Sequence, residues 1–375
     1  MVDILIKNGR VIDPANGRDE VTSVAIRGNR IIGIGAYADA DYVVDAEGCI
    51  VLPGLIDIHA HVFKGGSEHG VSPDLMAAQG VTTVNDAGTT GAANFEAFFR
   101  SVVTLSTVRV YTGLNLYAMG QPGYGLSEDL SPAKYPRSEI ERLLSAYPEQ
   151  IRSIKIRVGE EIVGEHCLNY VESAVDYCNQ LKLPLVVHAS NLPCAATEVS
   201  KRLRPGDVFC HCFHGKKNPI LSSAGEILPG ILDDRKRGVL FDCCNGRSNF
   251  ACEVGREAIQ QGFFPDFIST DLIPDYCNRN GFAKSLPYLM SKYLEIGMPL
   301  YDIISAVTAR PAQWLKLPEL GSLSAGTLAD VTILKEIEAA PVFVDQLGDR
   351  ILGHRLLKPM MTIVDGAILF SQIDF

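Results

Sequence analysis

The spacing of apolar and polar positions changes along the chain and divides it into two patterns. Short alternating runs such as DILIKNGRVID and VTSVAIRGNRIIGIG fill the first fifty residues, separated by Asn-Gly and Gly-Asn turns, and such runs predict short β-strands. The last fifty residues return to this pattern in GTLADVTILKE and MMTIVDGAILF. We therefore expect residues 1–53 and 321–375 to pair into one small β-sandwich domain.

Between the two ends, apolar runs alternate with longer segments of helical spacing. Eight runs qualify as strands: GLIDIHAH, VTTVND, VRVYTGLNL, IRSIKIRV, LPLVVHA, GDVFCHC, GVLFDCC and DFISTD. Helical segments such as PRSEIERLLSAY lie between most of them, which is typical of βα units around a parallel sheet. The sequence thus predicts an α/β fold, with a (β/α)8 TIM barrel over residues 54–320.

Composition and charge narrow the class of partner. The 375 residues are 47% hydrophobic and 21% charged, with a formal net charge of −10, as in an ordinary globular protein. The basic clusters are no longer than DDRKRG, which argues against nucleic-acid binding. Apolar runs stay below the roughly 18 residues of a membrane span, and MVDILIKNGR does not resemble a signal peptide. We expect a small-molecule partner, no nucleic acid, no membrane and a cytoplasmic location, with homo-oligomerisation left open.

Several reactive side chains are expected to be structural. The chain has ten cysteines, and in a large protein without an export signal we expect reduced thiols. If His211 points into the barrel, alternation turns Cys210 and Cys212 outward toward the helices. Three histidines are expected to be ordinary surface or loop residues, namely His69, His166 and His354.

Other histidines fall at the ends of the predicted strands. His59 and His61 end the first strand one residue apart, so both side chains point to the same face. Four further candidates occupy strands four, five, six and eight: Lys155, His188, His211 and Asp271. The active site of such a barrel lies at the C-terminal strand ends. Because imidazole and carboxylate suit divalent ions such as Zn²⁺, we expect these residues to hold metal.

Lys155 is the unusual member of this group. Two divalent ions, one hydroxide and Asp271 leave the site with two positive charges before Lys155 is counted. An ammonium, with a reference pKa of about 10.4, would add a third charge. A carbamate formed from CO₂ would instead lower the charge to one and offer two oxygens to bridge the ions. We therefore expect Lys155 to be N-carboxylated.

Together with the late segment TARPAQWLKLPELGSLSAGTLADVTIL, these motifs resemble the amidohydrolase superfamily of metal-dependent hydrolases over nearly the whole chain. The resemblance implies two ions, the more buried one bound by His59, His61 and Asp271, the more exposed one by His188 and His211, and both bridged by carboxylated Lys155. It also implies attack on the substrate by a metal-bridging hydroxide, with Asp271 as ligand and proton shuttle.

Two features separate the chain from typical dihydroorotases. Phe63 stands where those enzymes usually carry an arginine for the substrate carboxylate, and Asp271 is followed by LIPDYC, which matches no pattern of a cyclic amidase. The DAGTTG loop and HCFHG segment resemble superfamily members described as deacetylases. We predict a deacetylase or esterase that removes an N-acetyl or O-acetyl group from amino- or hydroxy-acid derivatives. The alternative is a cyclic amidase of the dihydroorotase or hydantoinase type, and a remote one is a non-catalytic scaffold of the same fold.

Four residues are candidates for substrate contact. Arg157, on the inward face of strand four, would bind a carboxylate through two hydrogen bonds or form an ion pair. Gly88 after strand two and Asn245 after strand seven would offer amides to the reacting group, although turn chemistry accounts for both equally well. His214, in the loop after strand six, would touch substrate or be an exposed loop histidine.

Overall fold

The computed structural model describes residues 2–246, 248–277 and 282–375, apart from the side chains of residues 276 and 277. Within this part of the chain, the strands form an eight-stranded sheet from both chain ends, a seven-stranded parallel sheet and one separate antiparallel pair. The predicted α/β fold class is confirmed.

The N-terminal segment supplies five strands: β1 (Val2–Asp13), β2 (Arg18–Arg27), β3 (Arg30–Ile34), β4 (Ala40–Asp45) and β5 (Ile50–Pro53). The central strand β1 pairs antiparallel with β2 and parallel with β4 and β5. Gly28 has a φ of 54° in the turn between β2 and β3, a left-handed conformation that glycine adopts without strain. The predicted Gly-Asn turn therefore directs β3 back along β2.

The barrel follows, with seven parallel strands paired in chain order. They are β6 (Leu55–Ala60), β7 (Val81–Asp86), β8 (Arg109–Asn115), β9 (Ile151–Arg157), β10 (Leu185–His188), β11 (Val208–Cys210) and β12 (Leu240–Asp242). The predicted eighth run is irregular, but Phe267 bridges Asp242 of β12 and Leu272 bridges Ala60 of β6. It therefore occupies the eighth position and joins the two edges of the sheet.

Within the described residues, twelve α-helices are present: α1 (Asp74–Ala77), α2 (Phe95–Ser101), α3 (Arg137–Ala146), α4 (Glu160–Val163), α5 (Cys167–Leu181), α6 (Ala196–Ser200), α7 (Pro229–Arg237), α8 (Cys252–Gln260), α9 (Pro274–Cys277), α10 (Leu286–Glu295), α11 (Leu300–Val307) and α12 (Ala309–Trp314). Helix α5 buries Val171, Ala174 and Cys178, a spacing that places one apolar face on the core. Among these helices, none combines the length and apolar character that crossing a bilayer requires.

The C-terminal segment completes the first sheet. Its strands are β13 (Val331–Glu338), β14 (Val342–Val344), β15 (Arg350–Leu352), β16 (Arg355–Val364) and β17 (Ala367–Ser371). Strand β13 pairs antiparallel with both β5 and β16, giving the order β17-β16-β13-β5-β1-β2-β3. The two chain ends thus share one sheet, while the domain boundaries after residues 53 and 320 stay a prediction.

The orientation predicted for Cys210 is wrong. Its thiol belongs to the apolar cluster inside the barrel and lies 4.0 Å from Lys155 Nζ, whereas Cys212 packs in the main core with the helices. The physical reason is that β11 ends at Cys210 and His211 adopts a φ of 64°, so strand alternation stops between the two residues. The nine described cysteines are free thiols.

Candidate metal centre

The structure brings the first group of predicted ligands together where the parallel strands end. His59 lies in β6 and His61 directly follows it, with ring centroids 5.9 Å apart. Asp271, in the eighth segment, faces both rings, because its Oδ1 lies 3.1 Å from His61 Nε2 and 3.9 Å from His59 Nε2. Two nitrogens and one oxygen thus form a compact group suited to a single ion.

A second group comes from the following barrel strands. His188 ends β10 and His211 follows β11, and His211 Nε2 lies 2.8 Å from His188 Nδ1. Lys155 of β9 reaches the first group, since its Nζ lies 3.4 Å from His59 Nε2. The ring centroids of His59 and His211 are 5.4 Å apart, so the two groups adjoin.

Each of these four histidines contacts a protein oxygen through its other ring nitrogen. His61 Nδ1 lies 2.8 Å from Thr89 Oγ1, and His211 Nδ1 lies 2.8 Å from the carbonyl oxygen of Cys244. A carbonyl oxygen only accepts hydrogen bonds, so His211 carries its proton on Nδ1. The lone pair on His211 Nε2 is thereby directed toward the group.

The remaining two histidines follow the same arrangement. His188 Nε2 lies 3.1 Å from the hydroxyl of Ser190, which donates to Asn249 Oδ1 and therefore accepts from the ring. His59 Nδ1 lies 3.4 Å from Asp242 Oδ2, an oxygen without a hydrogen-bond partner among the described residues. Metal-binding histidines typically donate their other N–H in this way. The donor set therefore fits a divalent metal centre.

Burial sets the protonation of these groups. It lowers the pKa of His59, His188 and His211 well below the ordinary value, because a low-dielectric surrounding disfavours an imidazolium. Neutral imidazole is the form that binds metal. Burial acts to raise the pKa of Asp271, but the hydrogen bond from His61 and the neighbouring imidazoles outweigh it and lower that pKa. Asp271 is consequently ionised at neutral pH.

Lys155 occupies a space that Gly88 leaves open. The lysine is 1% exposed and pairs in register with Asn115 of β8 and Val186 of β10. Gly88 has a φ of 83°, and a Cβ there would lie 2.8 Å from Lys155 Cγ. Its carbonyl oxygen accepts a hydrogen bond from Asn115. Gly88, predicted as a substrate contact, thus lies against the side chain of the lysine.

Asn245, also predicted as a substrate contact, belongs to a buried network. It is 1% exposed, its Nδ2 donates to Tyr293 Oη, and its Oδ1 accepts from Lys292 Nζ. Lys292 Nζ lies 3.3 Å from the ring centroid of Phe250, and burial lowers the pKa of Lys292 to about 7. The backbone N–H of Asn245 donates to Ser269 O, so this residue joins the seventh strand end to the eighth segment.

The last two predicted substrate contacts differ in accessibility. Arg157 lies at the site and donates to Glu128, whose side chain is 5% exposed, so the ion-pair alternative is realised. His214 is fully buried and not exposed. Its Nδ1 accepts from the backbone N–H of Lys216, and burial lowers the pKa of His214 to about 4. His214 therefore anchors the loop that follows β11.

A cavity of about 250 Å³ lies over the candidate ligands. Five of the six candidate ligands line it, together with His69, Gln121, Arg157, Glu161, Lys216, Ser248, Asn249 and Ile273. Nearly every one of these side chains is polar or charged, in contrast to the mostly apolar pockets that take drug-sized ligands. The cavity suits a small polar substrate.

His69 lies in a loop, as expected, but it also lines the cavity over the candidate ligands. Its ring centroid lies 6.1 Å from that of His61, and its side chain is 31% exposed. The loop folds back over the site because the N–H of Val71 donates to His61 O. His166 and His354 are exposed, as expected. The segment around His69 has no hydrophobic periodicity, so the sequence pattern could not place this residue at the site.

A barrel whose strand ends bring together four imidazoles, a buried lysine and an ionised aspartate defines a metal-dependent hydrolase of the amidohydrolase type. Residues 42–101 and 227–362 match profiles described as Amidohydrolase family. On these matches and the relatives below, the chain belongs to the amidohydrolase superfamily.

Among curated relatives, the chain is similar to three proteins named deacetylase. That from Brucella anthropi is 32% identical over 89% of this chain and 83% of the relative. Those from Agrobacterium fabrum and Enterococcus faecalis are 30% and 31% identical, over 96% and 98% of this chain and 90% and 98% of the relatives.

Two solved structures share the fold closely. A structure described as an adenine deaminase has a TM-score of 0.91 at 28% identity, covering 99% of this chain and 100% of its own. A structure described as a dihydroorotase has a TM-score of 0.89 at 28% identity, covering 99% and 98%. Within one superfamily, the same barrel thus carries several named reactions, and the site must decide between them.

Proposed function

We propose that the protein is a binuclear zinc-dependent deacetylase that acts on N-acetyl or O-acetyl derivatives of small amino or hydroxy acids. The observation that carries the proposal is the convergence of four imidazoles whose outer nitrogens each contact a protein oxygen. Three relatives named deacetylase, 30–32% identical over most of the chain, support the reaction.

The ligand assignment follows from the two groups at the strand ends. One ion would be held by His59, His61 and Asp271, and the other by His188 and His211. Carboxylated Lys155 would bridge them, which is supported by its burial and by the 3.4 Å between its Nζ and His59 Nε2. When bound, two divalent ions lower the pKa of water toward roughly 7 and polarise the substrate carbonyl.

The protein's own groups then supply orientation and proton transfer. Asp271 is ionised at neutral pH, because its neighbours lower its pKa, so it accepts a proton during attack and returns it to the leaving nitrogen or oxygen. The outer contacts of His59, His188 and His211 with Asp242, Ser190 and the carbonyl oxygen of Cys244 place a proton on each outer ring nitrogen, so these three rings keep a lone pair directed at the centre.

The cyclic amidase alternative is supported by the structure described as a dihydroorotase and by a curated relative. A dihydroorotase from Geotalea daltonii is 27% identical over 99% of this chain and 100% of the relative. Phe63 argues against that activity, because its ring packs edge to face on Phe98 with centroids 5.2 Å apart and is 6% exposed. The position therefore offers no cation for a dihydroorotate carboxylate.

One experiment separates these functions. The purified protein is analysed for bound metal and assayed with acetylated amino and hydroxy acids of both configurations, and with dihydroorotate, hydantoin and dihydrouracil. We expect close to two ions per chain and hydrolysis of acetylated compounds. Ring opening without deacetylation would establish the amidase, and saturation at one ion in active enzyme would contradict the binuclear centre.

A further inference from the structure

We propose that Cys167 and Cys194 form a redox-sensitive pair, which a peroxide joins as a disulfide and a small thiol opens again. The two Sγ atoms lie 3.9 Å apart, although the residues are 27 positions apart in the chain. The inference goes beyond the proposed hydrolase function, because it depends on the chemistry of two sulfurs and not on any acylated substrate.

The two thiols differ in accessibility. Cys194 is partly exposed, whereas the other eight described cysteines are buried, and Cys167 is only 2% exposed. Burial raises the pKa of Cys167 to about 12. Burial also raises the pKa of Cys194, but there the contact with Cys167 and the charge of Arg202 act in the opposite direction. Since the thiolate is the nucleophile, Cys194 is the thiol that a peroxide meets first.

The reaction balances with one molecule of hydrogen peroxide. The Cys194 thiolate attacks one peroxide oxygen and the O–O bond breaks. The sulfur becomes a sulfenic acid, while the departing hydroxide takes up the thiol proton and forms water. Cys167 then attacks this sulfur, the S–O bond breaks, and the hydroxyl leaves with the Cys167 proton as a second water. Both sulfurs are thereby oxidised and both peroxide oxygens reduced.

The backbone around the pair allows the bond to form. A disulfide bond is about 2.05 Å long, so the two sulfurs must approach each other by about 1.9 Å. Cys167 is the first residue of α5 and is held by that helix, whereas Cys194 lies in the irregular segment between β10 and α6. The movement therefore falls on Cys194 and its loop.

The bond would join two loops that border the candidate metal centre. The loop after β9 carries Glu161, which lines the cavity, and the loop after β10 carries Ser190, the outer partner of His188. A hydrogen bond of 3.0 Å from Asn191 Nδ2 to Glu161 Oε2 already connects the two loops. Drawing Cys194 toward α5 displaces the loop that holds Ser190, so turnover should fall when the disulfide forms.

The test treats metal-loaded protein with hydrogen peroxide, alkylates the remaining thiols and maps the digested chain by mass spectrometry. Wild type is compared with Cys194→Ser, Cys167→Ser and Cys49→Ser. Cys49 is the matched control, because it is also a buried thiol, 3% exposed, but lies between β4 and β5 in the other sheet. Circular dichroism reports the fold of each protein, and its melting temperature is measured before and after oxidation.

We expect one new link, between Cys167 and Cys194, which dithiothreitol reverses. Oxidation should raise the melting temperature of wild type and Cys49→Ser, because the bond constrains the unfolded chain. Cys167→Ser should stop at a sulfenic acid on Cys194, which dimedone traps, and Cys194→Ser should keep Cys167 as a free thiol. A link between other cysteines, or a Cys194 that stays reduced while other thiols oxidise, would overturn the inference. If a serine variant does not fold, the map of wild type alone decides.

Turnover keeps this result separate from the proposed reaction. With an acetylated substrate, kcat of oxidised wild type should fall about tenfold, the effect of disturbing an outer partner of a metal-binding histidine. It should recover after reduction and desalting, while Cys194→Ser keeps its rate throughout. An equal loss in Cys194→Ser would contradict the role of this pair in turnover. If the link forms but no acetylated compound is hydrolysed, the deacetylase proposal fails and the thiol pair stands.

Discussion

The residues of the candidate metal centre lie on two kinds of backbone, which divide them into a regular half and a strained half. His59 and Lys155 project from regular strands of the barrel, and His61 follows β6 directly. In the other half, His211 and Asp271 have φ values of 64° and 52°, in the left-handed region that non-glycine residues rarely occupy. The first half follows from strand alternation, whereas the second depends on contacts that hold an unfavourable conformation in place.

Hydrogen bonds hold the left-handed residues of the strained half in place. A left-handed L-residue costs roughly 1–2 kcal/mol, and at Asp271 the N–H donates to His59 O at 2.6 Å. Cys244, with a φ of 34°, directs its carbonyl oxygen to His211 Nδ1. The hydrogen bonds to the carbonyl oxygens of His59 and Cys244 therefore offset the backbone strain at Asp271 and His211.

The largest effect is expected for Lys155→Ala, a change in the regular half. The variant should lose metal and fall to background turnover, because the proposed bridge between the two groups is gone. It should keep its fold, since the side chain of Lys155 lines the cavity at the strand ends. Metal analysis, turnover and circular dichroism measure the three quantities.

Two additions to this experiment sharpen it. A short carboxylic acid in the medium should restore part of the metal and activity by occupying the vacated bridge, and metal loading of wild type without CO₂ should be slow. A Lys155→Ala protein that binds two ions and turns over at the wild-type rate would show that this lysine is only a strand residue.

The next largest effect is expected at Asp242, whose Oδ2 lies 3.4 Å from Nδ1 of His59. Asp242→Asn should weaken metal affinity and activity about 10- to 100-fold, the usual effect of losing an outer partner of a metal-bound histidine. Ser269→Ala is the matched control, because Ser269 donates to the other oxygen of Asp242 at 2.6 Å without touching the ring. If both variants bind metal equally weakly, Asp242 acts through packing and not through His59.

A smaller effect is expected where Gly88 meets Lys155. Gly88→Ala should lower the free energy of unfolding by about 1–3 kcal/mol and reduce turnover, because the new Cβ would lie 2.8 Å from Lys155 Cγ. Gly206→Ala has a similar φ of 88° but nothing within 4 Å of its Cβ, so it carries the strain alone. Chemical denaturation and kcat compare the pair, and equal kcat values would contradict a role for this contact.

The smallest effect is a pH dependence at Lys292, which supports the strained half through Asn245. Burial lowers the pKa of Lys292 from 10.5 to about 7. Between these values the unfolded chain binds a proton that the folded protein does not. The free energy of unfolding therefore rises with pH, by at most about 1.4 kcal/mol per pH unit.

Substitution isolates this contribution. Lys292→Met should flatten the rise in unfolding free energy between pH 7 and 10.5, the interval that the shifted pKa of Lys292 sets, whereas the exposed Lys217→Met should keep it. Urea denaturation at several pH values measures the slopes. A variant whose slope equals that of wild type would place the titration elsewhere.

The comparison also explains how far the sequence could predict the centre. Apolar alternation predicted β7 over Val81–Asp86 and the paired positions of His59 and His61, because regular strands repeat every two residues. The same rule misplaced Cys210, since the backbone turns left-handed at the next residue. The role of Asp242 could not be found from any period, because it depends on a contact with His59, which is far away in the chain.

The short connection between the sheet of the chain ends and the barrel affects the order in which the site is completed during synthesis. A single residue, Gly54, separates β5 from β6, and its N–H donates to Asp330 O just before β13. Strand β5 pairs with β13. Because β13 begins at Val331, it is synthesised long after His59 and His61. The support of the first ligand strand is thus finished only after β13 has been made. We therefore expect the complete centre to take up metal only after residue 338, the end of β13, has been synthesised.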